Sequence, residues 1–379
     1  MTSVRFGIVG VGGMGSGHAR NMPFIEEAEL TAVCDIAPDA LQAAVDAFEV
    51  PGFDNHIDLL ESGRVDAILI ATPHYFHPPI AVDAMARGIH VISEKPMAVT
   101  VSGAEAMIEA AQRSGVIFAV MFQQRTLPIH QAAKRLIDEG RLGELYRTLL
   151  IDGHFRSQAY YNSAGWRATW KGEGGGVLLN QAPHGMDLFT WLGGMPSRVI
   201  AKVRTRQHQI EVEDEASALL EYPNGAIGYI HESVNEYPTG MRLELCGEYG
   251  KLLIANNKLH VWEVPHGVRA TSDTTEAMWG HPEAEQVEVS LEEGPTGHGA
   301  IVANVARAIL AGESLISPGP EAIYSLELAD AMLLSGHTGQ PVDLPVDREA
   351  YDAFIETKKA TSMDKDVEDQ RITDPNHVA

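Results

Sequence analysis

The stretch VRFGIVGVGGMG, Val4 to Gly15, decides the fold. Val4 to Val9 is a short apolar run of the length and composition of a buried strand. Gly10-Val11-Gly12-Gly13-Met14-Gly15 then matches G-x-G-x-x-G and opens a helical pattern. Alone this spacing is weak; directly after a strand and before a helix it marks a dinucleotide-binding turn. Gly10 allows the tight turn, Gly12 lets backbone N–H groups approach a pyrophosphate, and Gly15 lets the helix pack closely on the strand. Gly13 and Met14 complete the helix N-terminus, where free N–H groups and the dipole favour phosphate. A glycine-rich turn in a generic α/β fold is the competing reading.

Working outward, a second strand from Leu30 to Cys34 ends at Asp35. An acid there bonds both ribose hydroxyls and repels a 2′-phosphate, so NAD is expected over NADP. Its competing role is to cap the helix predicted over Pro38 to Phe48. Apolar runs at Ala67–Ala71, His90–Ser93 and Val116–Met121 alternate with helical patterns near Pro78–Arg87 and Ser102–Arg113. That rhythm predicts a parallel sheet with right-handed crossovers. Ligands bind beyond the carboxyl ends of such strands, which selects Ala71-Thr72-Pro73-His74 and Ser93-Glu94-Lys95-Pro96. Thr72 and Pro73 would line the cofactor crevice. Lys95, its backbone fixed by a Pro96 that can be cis, would stabilise an alkoxide as hydride leaves; a surface lysine in a turn is the alternative. His74 and His77 lie three apart but lack a local third ligand, so no metal site is expected.

The rhythm changes after Gln124. A helix over Ile129–Glu139 ends at Gly140, and longer strands follow at Leu145–Phe155, Val199–Arg206, Ala216–Tyr222, Ala226–His231 and Arg242–Cys246. Pro223-Asn224-Gly225 and Asn256-Asn257 are hairpin signals. Helices return near Ala300–Leu310 and Glu321–Ser335. One glycine-led helix, predicted over Val177–Leu192, interrupts the strands. On it Asn180 and His184 are i and i+4 and share a face. His184, with a near-neutral pKa, is the candidate general base; Asn180 would orient the substrate. Asp187 either fixes the His184 tautomer or caps a neighbour. Upstream, Arg156, Tyr160, Tyr161, Trp166, Arg167 and Trp170 mix aromatic faces with guanidinium groups, which suits a sugar; an aromatic packing loop is the alternative.

The predicted fold class is therefore α/β: an N-terminal Rossmann domain, residues 1–124, and an α+β domain, residues 125–357, on a large, mostly antiparallel sheet. A polar tail, 358–379, is read as a frayed or packing extension. The 379 residues suffice for two cores. A formal charge of −24 argues against nucleic acid and anionic membrane surfaces. No run of about 18 apolar residues occurs. Two cysteines, Cys34 and Cys246, and an N-terminus that enters a strand at once point to the cytoplasm.

Taken together, these motifs resemble the Gfo/Idh/MocA family, named for glucose–fructose oxidoreductase, inositol dehydrogenase and rhizopine catabolism proteins. The likeness rests on GVGGMG at Gly10–Gly15, ATPHYFH at Ala71–His77, EKP at Glu94–Pro96 and WRATWKGEGGGVLLNQAPHGMD at Trp166–Asp187, with VEDEASALLEYPNGAIG at Val212–Gly228 and GQPVDLPVD at Gly339–Asp347. It implies an open-faced second sheet through which members pack as homodimers or homotetramers. It also implies Lys95 and His184 as the catalytic pair, with Glu94, Gln123 and Trp166 near cofactor or substrate. The cofactor set is then Gly10, Gly12, Gly13, Met14, Gly15, Asp35, Thr72, Pro73, His77, Glu94, Lys95 and Gln123. The substrate set is Arg156, Tyr160, Trp166, Arg167, Asn180 and His184, Asn180 also counting as catalytic. Many members carry aspartate where this chain has Asn180, which cannot share a proton or anchor Lys95 as a carboxylate does. The implied activity is NAD-dependent oxidation of a secondary hydroxyl on a sugar, sugar derivative or cyclitol. The alternatives are an NAD-dependent glycoside hydrolase or lyase acting through transient oxidation, and a non-catalytic NAD-binding sensor.

Overall fold

The computed structural model describes residues 2–363 and 365. Six strands, β1 Val4–Val9, β2 Ala28–Cys34, β3 Gly52–Phe53, β4 Ala67–Ile70, β5 His90–Ser93 and β6 Phe118–Val120, form a parallel sheet in the order β3-β2-β1-β4-β5-β6. All four residues of β4 are buried, as a strand covered on both faces requires. The order reverses between β1 and β4, which opens a crevice at their carboxyl ends. Val9 pairs with Ile70 and Ile70 with Ser93, so Gly10, Ala71 and Glu94 leave the sheet at one level. The close helix–strand packing expected at Gly15 is present: a Cβ there would stand 1.8 Å from the Gly10 carbonyl oxygen.

The second sheet has nine strands: β7 Leu145–Phe155, β8 Arg198–Arg204, β9 Glu215–Glu221, β10 Ile227–Ser233, β11 Asn235–Gly247, β12 Gly250–Ala255, β13 Lys258–Glu263, β14 Glu285–Val287 and β15 Val342–Asp343. Only β7 and β10 pair in parallel. Leu150, Ile230, Leu220 and Val199 face inward and are fully buried beneath the helices Pro183–Gly193 and Gly319–Thr338. Ile200, Leu219, Ile227 and Tyr229 face the other way and are exposed. Asn256 and Asn257 both take positive φ, forming the β12–β13 hairpin turn that their side chains tolerate. β11 begins well before its predicted start at Arg242, because Pro238 and Gly240 hide its first half from a propensity reading.

Three further features depart from the sequence expectation. The helix predicted over Val177–Leu192 is two, Val177–Asn180 and Pro183–Gly193. Pro183 has no N–H to continue the first helix, and it starts the second. The helix Arg348–Thr361 runs through residue 358, where the polar tail was expected to begin; residues 364 and 366–379 of that tail lie outside the described residues. Finally, the helix His298–Ala311, far along the chain, completes the first domain. Its Ile301, Val302, Val305 and Ala306 are buried in one core with Val4, Phe6, Ile8 and Val33.

Arg125 locks the two halves. It is 1% exposed, and its Nε and Nη2 donate to Asp187 at 2.8 and 2.7 Å while Nη1 donates to Glu321 at 2.6 Å. Trp191 lies against the guanidinium at 4.8 Å. Removing one partner of a buried pair leaves a poorly compensated charge. Asp187→Ala should therefore destabilise the protein by on the order of 3 kcal/mol. Urea unfolding checks this; a midpoint equal to that of the parent would contradict it.

Candidate active site

The dinucleotide turn sits at the crevice. Gly12, Gly13 and Met14 are exposed, and a Cβ on either glycine would meet nothing within 4 Å, so the helix N-terminus is open to a phosphate. The Thr72 hydroxyl oxygen is buried there without a hydrogen-bond partner. Asp35 accepts from Val11 N and from Ala37 N, both at 2.8 Å. One carboxylate thus braces the glycine turn and the start of the next helix, and it stays half-exposed at the end of β2. An open glycine cradle, an unpaired hydroxyl and an acid at the second strand fit a dinucleotide. His77 does not belong with them. It is fully buried, and its Nδ1 and Nε2 lie 2.9 and 2.8 Å from the carbonyls of Pro96 and Thr72. It is a strut between two strand-end loops, with no nitrogen left for a cofactor.

At the end of β5 the Lys95–Pro96 peptide is cis. The Lys95 backbone N–H donates to Glu94 Oε2 at 3.1 Å, and Lys95 Nζ crosses to the second domain and donates to the Asn180 carbonyl at 2.9 Å. Burial pushes the ammonium pKa down, while the charges of Glu94 and Glu173 oppose that shift. Glu94 accepts from His18 Nε2 at 2.7 Å. Burial alone would raise its carboxyl, but the His18 hydrogen bond and the charges of His18 and Lys95 hold it near 2. The His298 ring stands edge-on to His18 at 5.2 Å. Neither histidine was singled out in the sequence, because each reaches the site from a helix face rather than a strand end.

His184 enters from the Pro183–Gly193 helix. Because that helix starts at Pro183, Asn180 and His184 do not share one helix face; they meet through the turn between two helices. The Gln123 amide nitrogen is 3.3 Å from His184 Nε2, Phe122 packs edge-on at 6.0 Å, and His184 Nδ1 is buried without a partner. Asp187 neither fixes this ring nor caps a neighbour; Arg125 holds it. Burial, then the Lys95 charge, pushes the imidazole down to about 3, well below the near-neutral value expected. The ring is neutral at ordinary pH and free to accept a proton. Gln123, which His184 meets, follows β6, the strand beside the β5 end that carries Lys95, and the Lys95 charge contributes to the shift.

The substrate-side residues form a wall beside Asn180. Arg167 stacks on Tyr160 at 4.2 Å and on Trp166 at 4.7 Å, and Arg156 faces Tyr160 at 5.3 Å. Tyr160 OH donates to Asn180 Oδ1 at 3.3 Å. Tyr161 and Trp170, by contrast, are packing residues, buried against His208 and Phe354. The carboxylate missing at position 180 reappears one step back: Glu173, buried, accepts from the Asn180 amide and from Ala168 N. Glu213 shapes the same segment, accepting from Gly176 N at 2.9 Å and Leu178 N at 3.0 Å. A Cβ on Gly176 would lie 1.8 Å from the Glu213 carbonyl oxygen, which explains the last glycine of the triplet.

A glycine cradle at the end of β1, a lysine at the end of β5 and an imidazole against Gln123 beyond β6 define a class: oxidoreductases that act on CH–OH groups with a nicotinamide dinucleotide. Residues 4–122 match the model for an oxidoreductase family with an NAD-binding Rossmann fold, and residues 130–253 match the GFO/IDH/MocA C-terminal domain. The chain belongs to the Gfo/Idh/MocA oxidoreductase family. It is 31% identical to the rhizopine catabolism protein MocA of Rhizobium meliloti, over 61% of this chain and 71% of that one. It is 27% identical to inositol 2-dehydrogenase of Salmonella typhimurium, over 65% and 73%. Its fold superposes with a TM-score of 0.77 on the WlbA dehydrogenase of Bordetella pertussis, solved with NADH and UDP-GlcNAcA, at 31% identity over 91% of this chain and 100% of that one.

His74, buried with Nδ1 3.0 Å from the Glu173 carbonyl, is also pushed down to about 3, chiefly by burial. Unfolded, a histidine takes up its proton near pH 6.5. Between that value and about 3 the unfolded chain binds protons that folded His74 and His184 refuse, so stability falls with pH across this window. Each group contributes a slope of about 1.4 kcal/mol per pH unit. His74→Gln keeps a donor for Glu173 and removes one titration. Urea unfolding between about pH 5 and about pH 6 should show a shallower loss in the variant; parallel slopes would contradict the assignment.

Proposed function

We propose that the protein is an NAD-dependent dehydrogenase that oxidises a secondary hydroxyl of a sugar, sugar derivative or cyclitol. The observation that carries this reading is the Lys95 ammonium, held 2.9 Å from the Asn180 carbonyl at the carboxyl end of β5, beside β6, after which Gln123 meets His184. Bound NAD supplies the hydride acceptor. Gly12, Gly13 and Met14 would take its pyrophosphate, Asp35 its ribose, and Thr72, Pro73, Glu94 and Gln123 would line its crevice. Neutral His184 would accept the hydroxyl proton. A base held this low pulls weakly on its own, so Lys95 carries most of the work by stabilising the oxygen as negative charge grows. Asn180, fixed between Tyr160 and Glu173, would present its amide to neighbouring hydroxyls, and Arg156, Arg167 and Trp166 would seat the ring.

The relatives' names support a sugar or cyclitol: one acts on inositol, and the structural neighbour holds a nucleotide sugar with NADH. The Asp35 carboxylate supports NAD over NADP. The exposed apolar row of Ile200, Leu219, Ile227 and Tyr229 supports packing of two or four copies through the second sheet. Two free cysteines suit a reducing cytoplasm.

Purified protein, NAD and a panel of inositols, aldoses and glycosides, followed by NADH absorbance, test the reading. A productive substrate should lose turnover by about 100-fold or more in Lys95→Ala, with NAD affinity largely kept. Glycoside cleavage with no net NADH would overturn it. Asp35→Ser should raise kcat/KM for NADP relative to NAD by about tenfold or more, by removing the charge that faces a 2′-phosphate. An unchanged cofactor ratio would remove Asp35 from that role.

A further inference from the structure

Beneath the Pro183–Gly193 helix, three side chains on the inner face of the second sheet converge, two of them with buried atoms that lack a hydrogen-bond partner. Asp152 and His154 stand two residues apart on β7, and Glu232 pairs in register beside Asp152 on β10. Their ligand atoms all lie within 4.8 Å of one another, the only such His/Cys/Asp/Glu group of three or more among the described residues. Glu232 is 0% exposed, yet neither of its carboxyl oxygens has a hydrogen-bond partner; His154 Nε2 is buried and lacks one too. Interiors rarely leave such atoms unpaired. Three of them aimed at one point mark a place for a ligand.

We propose that Asp152, His154 and Glu232 form a binding site for a first-row divalent metal ion of the Zn2+ type. Two ligands bound tetrahedrally at zinc distances stand about 3.4 Å apart, and His154 Nε2 stands 3.3 Å from Asp152 Oδ2. One imidazole nitrogen with two carboxylates suits Zn2+ better than Mg2+ or Ca2+, which prefer all-oxygen shells. Gly185 makes the room: a Cβ there would lie 2.6 Å from Asp152 Oδ2 and 3.4 Å from Glu232 Oε1. The carboxyls therefore press against the backbone next to His184. A proton shared by the two acids is the competing occupant, but it leaves His154 Nε2 without a hydrogen bond, with only the 3.3 Å contact to Asp152. Three protein ligands leave one position for water. Sequence spacing could not reveal the set, because Glu232 lies on another strand far along the chain.

The test uses the full chain, stripped with chelator, loaded with ZnCl2, passed through gel filtration and measured by elemental mass spectrometry. One zinc per chain should remain, MgCl2 should leave none, and Lys95→Ala should keep the zinc. Glu232→Gln, which preserves volume, and His154→Ala should each lose it, with affinity by titration calorimetry weakened more than about tenfold. Circular dichroism checks that the variants fold; if His154→Ala does not, Glu232→Gln carries the comparison. No retained zinc, retained magnesium instead, or equal retention in a folded Glu232→Gln would overturn the site. The 16 histidines of the chain make that last control necessary.

Discussion

One hydrogen bond joins the two domains at the chemistry: the Lys95 ammonium on the Asn180 carbonyl, 2.9 Å away. It imposes a constraint from which the surrounding arrangement follows. An ammonium taken partly out of water must be compensated, and the site supplies carboxylates from both sides, Glu94 beside it and Glu173 behind Asn180. Glu94 in turn needs donors, and His18 provides one. The Glu94 carboxylate holds the Lys95 main-chain N–H, and the Asn180 carbonyl holds its ammonium. Fixed charge is what a reaction that creates an oxyanion needs, since no reorganisation is then required as charge develops.

The same economy explains the substitution at position 180. A carboxylate there would stand against the Glu173 carboxyl, which the Asn180 amide now meets as a donor. With Asn180 the backbone carbonyl meets the ammonium and the side-chain amide reaches Glu173, so the carboxyl is moved back to Glu173, whose pKa burial pushes up. The Asn180 amide can both donate and accept toward a hydroxyl, and it carries no proton to exchange. In the proposed reaction, proton movement would then rest on His184 and charge stabilisation on Lys95.

The first domain was legible because its signals are local. An apolar run, a glycine fingerprint and an acid at the next strand end each fall within a few residues, and the parallel sheet with its crevice follows from their order. Lys95, Asn180 and His184 were legible as motifs, and the structure places the Lys95 ammonium on the Asn180 carbonyl. What was hidden depends on contacts between distant positions. Nothing near Asp187 announces Arg125, so the acid was assigned to the wrong partner. His77 was set among the cofactor residues, but its ring turns inward onto two carbonyls. The helix His298–Ala311 carries an ordinary amphipathic pattern that does not say which sheet it covers. The break at Pro183 was written in the sequence, but the apolar run through it outweighed the proline.

Convergence of lysine and imidazole is the claim on which the account stands, and the titration of His184 tests it most directly. With histidine labelled for NMR, the His184 ring should stay neutral well below the usual imidazole range in the parent protein, and in Lys95→Met its protonation should begin at a higher pH, because a facing positive charge is gone. An identical titration in both proteins would put the two groups in separate sites and contradict the account.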